Sequence, residues 1–149
     1  MDGAPTSDRV PTDGSPHDAL PSVAWAVALS LLPEMGPARL LAVLRRWSPE
    51  DAWAQVLAGT VADAPAVAQA CVGAKGDPVP GWQRAARTCD VGEVWDRHAA
   101  ADLHVGWRGD GGIPAPLAED VEPPAVLFRR GSLDVLDGPR VAIVGTRRC

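Results

Sequence analysis

The chain has 149 residues, enough for one ordinary domain or two small ones, and its 46% hydrophobic and 22% charged residues are typical of a globular protein. No apolar run reaches the roughly 18 residues of a membrane-spanning helix, and the N-terminus lacks the basic start and apolar stretch of a signal peptide. We therefore expect a cytoplasmic protein without a membrane segment. The three cysteines and three histidines are widely spaced, so the sequence predicts no disulfide framework, no metal site and no cofactor.

Residues 1–20 are rich in Pro, Gly, Ser, Thr and Asp and contain few apolar groups, which predicts a disordered tail. Residues 21–88 show helical spacing of apolar side chains and predict a small helical domain. Its helices are expected in "SVAWAVALSLL", "ARLLAVLRRW", "SPEDAWAQVLAG", "DAPAVAQACV" and "WQRAART". The predicted N-caps are Ser22, Ser48 and Asp63, with Pro49 in the first turn, Asp51 three residues after its cap, and Gly59 as a C-terminal stop.

Residues 89–149 predict the beginning of an α/β unit, so the chain as a whole is expected to be α/β. Asp90, with Glu93 three residues later, predicts a helix start before "LHVGW". The short apolar runs "AVLFRRG" and "RVAIVG" are typical of buried strands. Five of the six tryptophans lie in helical segments and are expected in the core, whereas Trp107 is the one expected to be exposed.

The last ten residues, "RVAIVGTRRC", place a glycine, a threonine and two arginines directly after an apolar strand. At such a strand-to-helix turn Gly145 permits close backbone approach, and Thr146, Arg147 and Arg148 supply hydrogen-bond donors that fit a phosphate. The spacing alone leaves two interpretations open: a phosphate site, or an ordinary strand end with solvated arginines. The net charge is −5, but residues 127–149 carry five arginines against two aspartates. This local excess favours a polyanionic partner.

A second candidate site is "LPEMGPARLLAVL", where two helices are joined by a short turn that contains Gly36. The pattern is that of a helix-hairpin-helix, whose backbone amides could contact a DNA phosphate beside Arg39. The alternative is a helical hairpin with a packing role, and Glu34 and Pro37 favour it. Gly36 and Arg39 therefore predict at most a weak DNA contact. No arrangement of nucleophile, base and orienting group can be named, so no catalytic residue and no enzymatic activity are expected.

The segments "ALSLLPEMGPARLLAVLRRW" and "SPEDAW", followed by "PPAVLFRRG" and "VAIVGTRRC", resemble the DNA-processing protein A (DprA, or Smf) family from about residue 24 to 149. The resemblance implies a SAM-like or helix-hairpin-helix domain followed by an extended Rossmann-like domain. It also implies single-stranded DNA binding, a role in natural transformation and DNA uptake, loading of the RecA recombinase, and a homodimer at full length. By resemblance, Gly145, Thr146 and Arg147 match the DNA-binding motif, with Arg148 assisting. The loop "RGDGGIPAPL" departs from the family pattern because it lacks a tyrosine.

Because the resemblance ends at the motif, the chain is expected to be an N-terminal piece of a longer protein that binds DNA only weakly by itself. Two alternatives remain. One is a nucleotide-binding Rossmann-like enzyme such as a phosphoribohydrolase, since that fold also binds phosphate at a strand-to-helix turn. The other is the nonfunctional remnant of a disrupted gene.

Overall fold

A computed structural model describes residues 20–74 and 76–136 of the chain. Within these ranges the protein consists mainly of helices, with one small sheet, in the order α1 (Ser22–Ser30), α2 (Pro37–Arg46), α3 (Pro49–Ala58), α4 (Pro65–Cys71), α5 (Val79–Thr88), α6 (Val91–Ala100), β1 (His104–Trp107), α7 (Ala115–Ala118) and β2 (Val126–Arg129). Short 3₁₀ helices cover Val61–Asp63 and Leu133–Leu136. The predicted tail, apart from Leu20, and the predicted strand "RVAIVG" lie outside the described residues.

Helix α1 is the centre of the core because it is apolar around most of its circumference. Its contacts extend to α2, α3, α6 and both strands. Its small buried side chains, Ala24, Ala26 and Ala28, let these neighbouring elements pack close to the α1 backbone. The helices on either side are amphipathic and turn their apolar faces toward α1, as the spacing of the sequence predicts.

Local signals in the sequence predict the ends of two helices correctly. The Ser48 hydroxyl oxygen accepts a hydrogen bond from the Asp51 backbone N–H over 3.1 Å, and Pro49 is the first residue of α3. Gly59 ends α3 with a φ of +80°, in the left-handed region that favours glycine. The Asp90 carboxylate accepts from the Glu93 N–H over 3.0 Å and caps α6.

Two predicted caps are wrong. The N-cap of α1 is Pro21, and Ser22 is already helical; its hydroxyl donates instead to the Glu50 carboxylate over 2.5 Å. Asp63 ends the 3₁₀ helix, while α4 begins at Pro65 after Ala64 and receives no side-chain cap. Pro65 starts α4 without needing a side-chain partner, because its ring fixes φ and it has no N–H to satisfy, whereas Pro21 precedes α1 in an extended conformation.

Strands β1 and β2 pair antiparallel, with Val105 opposite Phe128 and Gly106 opposite Leu127. The predictions of strands in "LHVGW" and "AVLFRRG" are confirmed, and the α/β class is confirmed at the coarse level of helices followed by strands. The prediction that "AVLFRRG" is buried is wrong in part, because Phe128 is 40% exposed. Gly106 is required where it lies, since a Cβ atom there would come within 2.3 Å of the Gly112 carbonyl oxygen.

The helices and the sheet share one apolar cluster in the described part of the chain. Ala125, next to β2, and Val91, at the start of α6, belong to the same cluster as the buried residues of α1 to α5. The predicted core tryptophans include two that are almost fully buried, Trp53 and Trp82. Trp107, expected to be exposed, is instead half-buried and packs against this cluster, because β1 lies on α1.

Candidate nucleic-acid interface

The predicted phosphate-binding turn, Gly145, Thr146, Arg147 and Arg148, lies outside the described residues, so it stays a prediction. The structure does describe the earlier predicted strand, "AVLFRRG". Strand β2 ends at Arg129, and exposed Arg130 follows immediately. Arg130 is thereby placed next to the C-terminal end of α6, whereas the Arg129 guanidinium donates to the Gly131 carbonyl.

The turn between α1 and α2 engages its own backbone amides. The Met35 N–H donates to the Leu32 carbonyl over 3.1 Å, and the Gly36 N–H donates to the Glu34 carbonyl over 2.8 Å. Glu34 has a φ of +57°, a left-handed conformation uncommon for a residue with a side chain. Because two amides of the turn already have intramolecular acceptors, they offer little to an external phosphate.

Arg39 is directed toward backbone carbonyls of its own chain. Its guanidinium Nη1 donates to the Glu34 carbonyl, and its Nε donates to the Ala70 carbonyl over 3.3 Å. The side chain thereby joins the α1–α2 turn to the end of α4. These bonds agree with the packing interpretation of the hairpin, while a weak DNA contact at Gly36 and Arg39 stays a prediction.

Arg39 also affects the thiol of Cys71, at the end of α4. Burial raises the pKa of Cys71 above its ordinary value of 9.0, and the nearby Arg39 guanidinium partly offsets that rise. Burial and the neighbouring Asp90 carboxylate raise the pKa of Cys89 in the same direction. Both thiols therefore remain protonated at neutral pH, which disfavours a role as nucleophile or metal ligand.

A concentration of basic side chains lies where the end of α6 meets the sheet. Arg97, His98 and His104 lie here, together with the acids Asp96 and Asp102. The Arg130 Nη2 donates to the Ala101 carbonyl over 2.9 Å, which holds the guanidinium at the C-terminal end of α6. The carbonyls of a helix C-terminus carry partial negative charge and stabilise a cation at this place.

Beside these basic groups lies a partly exposed apolar and aromatic surface, which we call the α6–β2 face: Leu31, Arg97, His98, Leu103 and Phe128. The rings of His98 and Phe128 have centroids 5.7 Å apart and planes inclined by 34°. A recess of about 200 Å³ adjoins them, lined by Leu31, Val94, Arg97, His98 and Leu103. Leu31 is 58% exposed, so apolar surface continues from the recess to solvent.

The orientation of the His98 ring is fixed by a backbone carbonyl. Its Nδ1 lies 2.8 Å from the Val94 carbonyl oxygen one turn earlier in α6. A carbonyl only accepts, so this geometry requires the proton on Nδ1. The Nε2 edge then accepts hydrogen bonds when the ring is neutral and donates when it is protonated.

The α6–β2 face is not predicted by the sequence. Phe128 lies within a run that predicts a buried strand, and His98 is 30 positions away in a helix. The alternation of side chains along β2 places Phe128 on the same sheet face as Val126, which packs against the core. No periodicity in the sequence indicates that this face is covered at Val126 and open at Phe128.

Other kinds of site receive no support from the described geometry. In residues 20–74 and 76–136, His, Cys, Asp and Glu side chains do not gather into a group of three or more that could hold a metal ion. No helix in the same part of the chain is both long enough and apolar enough to span a membrane.

Comparisons with known proteins do not assign the chain to a class. No family model, no curated protein and no solved structure matches it.

Proposed function

We propose that this chain is part of a single-stranded DNA-binding protein of the DprA type, which acts in DNA uptake and in loading RecA. The observation that carries the proposal is the sequence "VAIVGTRRC", an apolar run followed at once by Gly145, Thr146 and two arginines. Backbone amides and guanidinium groups at such a turn bind phosphate oxygens without reading the bases. The finer fold that this requires, a Rossmann-like domain in residues 89–149, is part of the same proposal.

The distribution of charge supports a polyanionic partner. The whole chain carries −5, but its last 23 residues carry five arginines and two aspartates. Affinity for DNA depends on local phosphate contacts and the counterions they release, so an acidic body does not prevent binding at a basic end. In the described structure one of these five, Arg130, lies at the C-terminal end of α6, the helix that also carries Arg97.

The test is a titration of labelled single-stranded DNA with the full-length protein, followed by fluorescence anisotropy at several salt concentrations. The wild type is expected to bind oligonucleotides of unrelated sequence with similar affinity. Arg147→Ala should weaken all of them equally and lower the slope of log affinity against log salt by about 0.7, the contribution of one phosphate contact. Arg87→Ala, an exposed arginine in α5, is the matched control and should bind like the wild type.

Two outcomes would contradict the proposal. If nucleoside monophosphate binds in preference to the oligonucleotide, the protein is a nucleotide-binding enzyme of the phosphoribohydrolase kind. If Arg147→Ala leaves both the affinity and the salt slope unchanged, the turn is an ordinary strand end with solvated arginines.

A further inference from the structure

We propose that the α6–β2 face is a base-stacking site for single-stranded DNA, in which a base packs on the Phe128 ring and the flanking phosphates are held by Arg97 and Arg130. The inference rests on the proposed function, because it assigns a second contact surface to the same ligand. It adds what the phosphate-binding turn lacks, a contact with the bases themselves.

The aromatic pair is suited to stacking because it is both exposed and fixed in place. Phe128 is 40% exposed although it is a large apolar side chain, and it is paired across the sheet with Val105. On one side the ring is supported by His98, whose own orientation is set by the Val94 carbonyl. A ring held in this way loses little conformational freedom when a base packs on it, and every base offers a π face.

A partly apolar recess lies next to the aromatic pair, on the side of His98. Its volume is about 200 Å³, and Leu31 and Leu103 line it together with His98. A neighbouring nucleotide that entered this recess would cover apolar surface at Leu31 that now faces solvent, which adds to the favourable burial on binding.

Two arginines beside the face have donors that fit a phosphate backbone. Arg97 lines the recess itself, and its Nε lies 3.4 Å from the Glu93 carbonyl one turn earlier, which leaves the terminal guanidinium nitrogens outward. Arg130 uses one nitrogen for the Ala101 carbonyl, so its other donors are available to a phosphate. Asp96 precedes Arg97 on α6. Asp102 lies 4.0 Å from His104, on the strand that follows.

Alternation of a stacking aromatic ring with arginines is the arrangement by which proteins bind single strands without sequence preference. Duplex DNA does not fit this face, because its bases are already stacked on each other and cannot reach Phe128. The α6–β2 face therefore predicts a preference for single-stranded over double-stranded DNA, which phosphate contacts alone do not provide.

The experiment compares two oligonucleotides of equal length and charge, oligo(dT) and a strand of abasic residues, with the full-length protein. Phe128→Leu should lower the affinity for oligo(dT) by roughly 5- to 100-fold, the cost of losing one stacked base. It should leave both the affinity for the abasic strand and the salt slope unchanged. Phe128→Trp should restore binding of oligo(dT), because it returns an aromatic face. Val121→Ala removes an apolar side chain that is 96% exposed on another surface, and it is the control expected to bind like the wild type.

A second measurement needs no substitution. Oligonucleotides that contain iododeoxyuridine are photo-crosslinked to the wild-type protein, and the modified peptides are identified by mass spectrometry. We expect crosslinks at Phe128 or His98. Suppose that the wild type binds oligo(dT). If Phe128→Leu then binds it equally well, or if the crosslinks lie only outside Phe128 and His98, the base-stacking inference is wrong and the proposed function still stands. If the wild type binds no single strand even at low salt, both the inference and the proposed function are wrong.

Discussion

Trp82 donates its indole N–H to the carbonyl oxygen of Pro33 over 2.7 Å, although the two residues are 49 positions apart in the chain. The bond joins α5 to the turn that follows α1. The Trp82 ring is fully buried and is the largest such side chain in the described core. One residue thus supplies a polar link at the edge of the turn and a large part of the packing beneath it.

Trp82→Phe removes this hydrogen bond and part of the ring, so we expect the free energy of unfolding to fall by about 1–3 kcal/mol. Urea denaturation followed by circular dichroism measures the change. Trp95→Phe is the matched control, because the same substitution at a half-buried side chain should cost less. Equal losses in the two variants would show that the Pro33 contact contributes nothing specific.

The two aspartates that predict helix starts differ in the structure, and this difference gives a second prediction. Asp90→Ala removes the cap of α6 and should destabilise the protein by about 1 kcal/mol. Asp63→Ala should change the free energy of unfolding by less than about 0.5 kcal/mol, since Asp63 caps no α-helix. The same urea titration compares them. A larger loss for Asp63→Ala than for Asp90→Ala would contradict the assignment of caps.

Much of the helical part is predictable from the sequence because its signals are local. The cap at Ser48, the glycine stop at Gly59 and the amphipathic spacing of α2 each act within one or two turns, so a short window contains them. The wrong cap at Ser22 has a tertiary cause, since its hydroxyl is used by Glu50, 28 positions away.

The candidate site is less predictable for the same reason. The pairing of His98 with Phe128 and the bonds of Arg39 to two carbonyls depend on which elements meet, and residue spacing does not encode it. The turn at Gly145 to Arg148 is a local pattern and therefore recognisable from the sequence, but its geometry lies outside the described residues. The phosphate-binding turn is thus inferred from the sequence and the α6–β2 face from the structure, so each requires its own experiment.

The raised pKa of Cys89 predicts how the stability of the protein depends on pH. Burial is the main cause and the Asp90 carboxylate the next, so the folded state holds the thiol proton more tightly than the unfolded state does. The resulting contribution to stability is complete below the ordinary value of 9.0 and is lost as pH rises through the higher folded pKa. Urea titrations below the ordinary pKa of 9.0 and above the folded pKa should therefore show a lower free energy of unfolding at the higher pH. Cys89→Ala should reduce this difference in stability between the two pH values.

Asp90→Asn separates charge from capping at this site, because asparagine caps a helix about as well as aspartate. Without the carboxylate the pKa of Cys89 should fall, so its alkylation by iodoacetamide at a fixed, mildly alkaline pH should be faster than in the wild type. Peptide mass spectrometry distinguishes Cys89 from Cys71, which serves as the internal reference. An unchanged rate at Cys89 would show that the Asp90 charge does not reach the thiol.

Arg39 decides between the two interpretations of the hairpin. If its role is packing, Arg39→Ala should lower the free energy of unfolding by about 0.5–1.5 kcal/mol through the lost bonds to Glu34 and Ala70, and DNA affinity should not change. Arg39→Lys keeps the charge but loses the planar donors that reach both carbonyls at once, so it should also be destabilised.

A phosphate contact predicts the opposite pattern. Arg39→Lys would retain most of the DNA affinity, Arg39→Ala would lose that affinity and show a smaller salt slope, and neither substitution would alter the stability. Anisotropy titrations and urea denaturation on the same two variants measure both quantities, and we expect the pattern of the packing role.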